Sequence, residues 1–135
     1  MTFSKNASFL AAGDGDKIRV FNVPGEKEVG LVHTGFIRPQ SIIDPRGRHV
    51  AAWEYGTDAR VKVFDAKTGA LLNELLHKHP QLLAPCFSPD GEGLATVSIA
   101  NDKPGVSTVT LWNLKTGKGK ELFLEIGRAS CRERV

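Results

Sequence analysis

The sequence predicts an all-β protein assembled from repeats, and three observations carry that prediction. Runs of five to seven residues alternate apolar and polar side chains, as in Ile18/Val20 and Val61/Val63, and are rich in β-branched and aromatic types. Gly, Pro, Asn and Asp punctuate the runs at short intervals. The pattern then returns: Phe21 to Phe64 is 43 residues, Phe64 to Trp112 is 48, and Gly47 to Gly91 is 44.

The elements follow in order. In the first unit, Phe9-Leu10-Ala11-Ala12-Gly13 and Lys17-Ile18-Arg19-Val20-Phe21-Asn22-Val23 flank a polar turn, which places strands at 8–13 and 17–23, with a third at 27–33. In the second, an inner strand at 37–43 leads into Asp44-Pro45-Arg46-Gly47, a turn sequence, and His49-Val50-Ala51-Ala52-Trp53 opens a strand at 48–55. Arg60 to Ala66 supplies a strand at 59–66, and Thr68-Gly69 ends it. The segment 70–77 has four leucines that could line a helix, but its phase in the repeat makes it an outer strand. The third unit repeats the scheme with strands at 82–87, 93–99, 107–114 and 119–124, the turns Asp90-Gly91 and Thr116-Gly117, and a longer loop at 100–107.

These residues resemble the WD-repeat family of β-propellers. The resemblance rests on Ser88-Pro89-Asp90-Gly91, Leu94-Ala95, Leu111-Trp112-Asn113 and Thr116-Gly117, with weaker copies in the first two units and a period in the expected window. It implies a partial propeller of about 2.7 four-stranded antiparallel blades, with units at 3–33, 34–77 and 78–124. It also implies a buried bracing network of His, Ser/Thr, Asp and Trp side chains. His79, Ser98, Asp102 and Trp112 fit in the third unit, and His33 and Asp58 in the second, where Phe64 replaces Trp. Glu54 stands where Ser98 stands, and Pro39 and Pro85 fall in or beside inner strands, where proline is disfavoured, so the resemblance is to divergent members. An arc of fewer than three blades exposes two sheet faces, so the chain is expected to be a fragment of a larger propeller that supplies the missing blades.

Residues 126–135 resemble the translation of a short-read sequencing adapter, codon for codon, and Glu125 fits the two preceding adapter bases. Residues 125–135 are therefore expected to be an artefact and disordered. Without them Lys+Arg falls to 15 and Asp+Glu to 13, a net charge of +2 in place of +3. The remaining charges are interspersed, which disfavours nucleic acid as a partner. Cys86 is then the lone cysteine, which points to a core thiol without an intrachain disulfide. No apolar run approaches the roughly 20 residues of a membrane-spanning helix, and no export signal opens the chain, so a cytoplasmic location is the default expectation.

Chemical constellations are sparse. His77-Lys78-His79 places two imidazoles on one side of a strand, but a metal site needs a third and fourth ligand. Gly13-Asp14-Gly15-Asp16 has the spacing of part of a calcium loop without its remaining ligands, and reads as a hairpin turn. Lys67-Thr68-Gly69 and Lys115-Thr116-Gly117 recur at one phase, as a turn does, and no Ser-x-x-Lys nucleophile accompanies them. No catalytic residue, metal or cofactor is therefore expected. Aromatic and arginine side chains anchor interfaces, so Phe36, Arg38, Trp53, Tyr55 and Arg60 are the candidate partner-binding residues, although the reading with Trp53 in the core between units and the others incidental is the favoured one. The resulting expectation is a non-catalytic scaffold for protein or peptide partners. Its rival is an arc of a catalytic or sensor propeller of quinoprotein or lactonase type, or a set of repeats that regulates a fused enzyme.

Overall fold

A computed structural model describes residues 2–3, 8–37, 39–54, 60–77, 81–99 and 107–124. Twelve strands form three four-stranded antiparallel sheets, each a simple meander. The first sheet contains β1 (Thr2–Phe3), β2 (Phe9–Asp14), β3 (Lys17–Asn22) and β4 (Lys27–His33). The second contains β5 (Gln40–Ile43), β6 (His49–Trp53), β7 (Arg60–Asp65) and β8 (Leu71–Leu76). The third contains β9 (Gln81–Phe87), β10 (Gly93–Ile99), β11 (Ser107–Asn113) and β12 (Lys118–Leu124).

The all-β expectation holds, and the propeller expectation does not. The three sheets share no strand, and none is closed or curled into a propeller's blade arrangement. The WD-repeat resemblance and the partial propeller of about 2.7 blades are therefore corrected to an open set of three small antiparallel sheets. The physical reason lies in what the period reports. A repeat of turns and alternating strands specifies successive meanders, and it says nothing about closure among them. The leucine-rich segment is a strand, as its phase required, and Thr2–Phe3 adds a short strand that the sequence reading lacked. Residues 125–135 lie outside the described residues.

The turns repeat at atomic detail. Asp65 Oδ1 accepts from the Lys67 and Thr68 amides at 2.9 and 3.0 Å, and Asn113 Oδ1 accepts from Lys115 and Thr116 at 2.9 and 3.3 Å. Each turn then closes through a glycine in the left-handed region, Gly69 at φ 76° and Gly117 at φ 74°. In the first sheet the corresponding residue is Glu26, at φ 53°, the one non-glycine residue with positive φ among the described residues. Pro85 is tolerated because β9 is an edge strand and the β9–β10 register shifts beside it, between Ala95 and Val97.

Two apolar layers hold the sheets against one another. Ala11, Ile18, Val20 and Val32 of the first sheet pack with Ile43, Val50, Ala52, Phe64 and Ala66 of the second. The opposite face of the second sheet, Ala51, Trp53, Val61, Val63 and Leu75, packs with Leu82, Phe87, Leu94, Trp112 and Leu114 of the third. The second sheet thus has a trailing face turned toward the first and a leading face turned toward the third, and the equivalent faces of the other two sheets are named in the same way. The contact between the first two is close: a Cβ on Gly30 would lie 1.6 Å from the Ala66 carbonyl oxygen.

Candidate docking surface

The second and third sheets are tied by two polar nodes, and the outer face of the third is what these nodes hold in place. The first node is Thr96, 1% exposed on β10. Its hydroxyl accepts the Trp112 indole N–H at 3.0 Å and lies 2.7 Å from His77 Nε2. The His77 ring meets the Trp112 ring edge-on at 5.4 Å. Trp112 reaches Thr96 because Leu94 pairs with Trp112 and Thr96 with Thr110, so alternation puts Thr96 and Trp112 on one face.

The second node is Asp44, fully buried between the two sheets. Its carboxylate accepts from the Arg48 amide at 2.6 Å, the His49 amide at 3.3 Å and His49 Nδ1 at 3.3 Å. Burial pushes this carboxyl up, but the hydrogen bonds from the His49 ring and the Arg48 and His49 amides outweigh it and hold it below the ordinary carboxylate range. Arg48 Nη2 reaches the Asp90 carbonyl at 2.9 Å, and the His49 ring stacks on Phe87 at 6.5 Å. The β5–β6 turn is thereby fastened to the β9–β10 turn. Gly91 is required there, because a Cβ would sit 2.3 Å from Asp44 Oδ2.

Beyond these nodes the third sheet presents its leading face. Strand pairing places Ala95, Val97, Ile99, Val109, Leu111 and Leu122 on it. All six are partly exposed, with Leu111 at 45% and Leu122 at 43%. Their counterparts in the earlier sheets are covered. Val20 and Val63 stand where Leu111 stands, Val32 and Leu75 where Leu122 stands, and none of the four exceeds 2% exposure. A cleft of about 260 Å³ opens at one end of the sheet, where Cys86, Ala95 and Leu111 of this face adjoin Phe87, Leu94 and Trp112 of the opposite face. It is an apolar surface of the kind that docks apolar side chains.

The sequence-derived site residues distribute differently. Phe36 is 7% exposed and Trp53 3%, both inside the inter-sheet layers. Trp53 Nε1 has no hydrogen-bond partner among the described residues. Arg60 is half-buried and ion-paired with Glu74. Arg38, Tyr55, Asp58, His79 and Asp102 lie outside the described residues. Of the expected bracing set, His33 is exposed at the end of β4 and Ser98 is buried on β10, while Trp112 bonds Thr96 rather than Ser98. The histidine at that node is His77. The sequence expectation named His79 for that role, and His79 lies outside the described residues. Asp44 had a signal too, because Asp44-Pro45-Arg46-Gly47 holds the phase of Ser88-Pro89-Asp90-Gly91. Cys86, expected as a free core thiol, is disulfide-bonded.

No known protein family's sequence profile matches this chain. The open sheets remove the WD-repeat assignment and the scaffold role inferred from it, as well as the alternatives that rested on a propeller. Among solved structures, the fold is similar to that of Kuenenia stuttgartiensis hydrazine synthase, with a TM-score of 0.62. The similarity covers 90% of this chain and 36% of that one, at 15% sequence identity. The chain therefore spans about a third of that protein, and at this identity the likeness is one of fold. Among the described residues, no helix is long and apolar enough to cross a membrane.

Proposed function

We propose that this chain is a polypeptide-binding β module rather than an enzyme, and that it binds through the leading face of the third sheet. The observation that carries the reading is the contrast between Leu111 and Leu122, which are 45% and 43% exposed, and their counterparts Val63 and Leu75 at 0% and 2%. The face has the alternation and residue types of the buried leading faces, so its chemistry is that of a surface made to be covered. The adjoining cleft supplies the concavity that an apolar anchor needs. Selectivity toward polypeptide rather than nucleic acid follows from the aliphatic character of its centre, with lysines only along the β12 margin.

Selection from a displayed peptide library tests this. Sequences with apolar anchors should be enriched on the wild-type chain and lose binding to the Leu111→Glu/Leu122→Glu variant. Equal recovery on both chains would refute the assignment of this face.

A further inference from the structure

We infer that the occupant of this face is a second copy of the same chain, docked head to tail, with the trailing face of its first sheet against the leading face of the third. The inference rests on the reading of that face as polypeptide-binding, and it adds the identity of the partner. The two internal interfaces define what a leading face receives. On the second sheet the trailing-face residues Val50, Ala52, Phe64 and Ala66 are at most 3% exposed, and in the third sheet Leu94, Trp112 and Leu114 occupy the corresponding places. The first sheet carries the same set as Leu10, Ala12, Phe21 and Val23, yet these are partly exposed, Val23 at 37%. One uncovered leading face and one uncovered trailing face of matching pattern therefore stand at opposite ends of the chain.

Charge points the same way. Gly117, in the β11–β12 turn, lies over Asn73 of the second sheet, with an added Cβ 3.4 Å from Asn73 Nδ2. By repeat position Glu26 corresponds to Gly117, and by strand pairing Lys120 corresponds to Asn73, since Val63 pairs with Asn73 and Leu111 with Lys120. Repeating the interface between the second and third sheets, rather than that between the first and second, brings Glu26 of one copy against Lys120 of the next, an opposite-charge pair. Such a contact is heterologous, so copies add in one direction into a ring or an open series.

Sedimentation velocity on the full chain across a wide concentration range tests the inference. The mass should rise with concentration. Leu111→Glu/Leu122→Glu should weaken association by at least about tenfold, and so should Val23→Lys/Glu26→Lys. Each variant keeps one intact face, so their mixture should form a one-to-one dimer and stop there. Glu26→Gly should raise the melting temperature by relieving the backbone while weakening association, and Lys120→Glu should restore association to Glu26→Lys. A chain that stays monomeric throughout would overturn the inference, as would self-association that survives either double variant. Association that appears only after residues 125–135 are removed would also overturn it, by assigning the face to the chain's own tail. Peptide binding by a strictly monomeric chain would leave the face's assignment standing and defeat only the second-copy claim.

Discussion

Replacing Thr96 with valine removes a single hydroxyl and keeps the side-chain shape, so its cost isolates the node between the second and third sheets. The hydroxyl has one donor and two acceptor sites. One acceptor takes the Trp112 N–H at 3.0 Å, and the 2.7 Å approach of His77 Nε2 uses another. Thr96 is 1% exposed, so water does not replace what the substitution removes. Two hydrogen bonds at about 1 kcal/mol each, plus about 1 kcal/mol or more for the stranded indole N–H, sum to about 3 kcal/mol. Against a total stability of about 5–15 kcal/mol this is a large fraction. Urea denaturation followed by tryptophan fluorescence should show a lower midpoint with an unchanged slope. Thr96→Ser should retain most of the stability, and a double-mutant cycle with Trp112→Phe should show coupling of about 1 kcal/mol. A valine variant within about 0.5 kcal/mol of wild type would refute the node's role.

The remaining predictions concern other parts of the frame. Asp44→Asn should cost about 2 kcal/mol near neutral pH, because the amide keeps an oxygen for the Arg48 and His49 amides but sets an NH2 donor in place of the oxygen facing His49 Nδ1 and removes the charge that strengthens all three hydrogen bonds. The Asp44 carboxyl titrates in the folded state below its unfolded value near 3.9. Its contribution is therefore full above that value and is lost as pH falls through the folded value, so the asparagine variant should show a flatter acid limb in pH-dependent unfolding. Gly30→Ala should destabilise by about 3 kcal/mol or more, since its Cβ would meet backbone at Ala66, whereas Gly13→Ala, with nothing within 4 Å, should be neutral or slightly stabilising. Trp53→Phe should change stability by less than about 1 kcal/mol, because the indole N–H it removes has no partner among the described residues, while Trp53→Ala should cost about 3–5 kcal/mol. Thermal and chemical melts read all of these.

The strands were legible because their signals are local. Alternation at Ile18/Val20 and Val61/Val63 fixes a face, and glycine at 69 and 117 fixes a turn, whatever the rest of the chain does. The leucines at 71–76 illustrate the limit of propensity, since repeat phase and pairing with β7 decided their strand conformation. What the sequence could not carry was the relation between sheets. The period is the same whether meanders close or remain open, and closure depends on the angle between successive sheets, which no residue pattern displays.

The site was less legible for the same reason. Phe36 and Trp53 looked like interface anchors because large aromatics serve both cores and interfaces, and only their place in the inter-sheet layers distinguishes the two. The histidine that meets Thr96 is His77, just past the end of β8, and finding it required the placement of the second sheet against the third. The exposed leading face involves no unusual residue at all. Leu111 and Leu122 resemble their buried counterparts, and their exposure is a property of position in the series. Glu26 is the exception that could have been found from sequence, as a charged residue at a turn phase held elsewhere by glycine.

On the proposed function, the third sheet's leading face is a covered surface in the working protein. Covalent footprinting by hydroxyl radicals, read residue by residue as protein concentration rises, tests it most directly. Leu75 should be unlabelled throughout, and Leu111 and Leu122 should be labelled when dilute. On concentration, Leu111 and Leu122 should become protected together with Phe21 and Val23. Labelling of Leu111 and Leu122 that stays constant with concentration, and constant too with selected peptides present, would contradict the account.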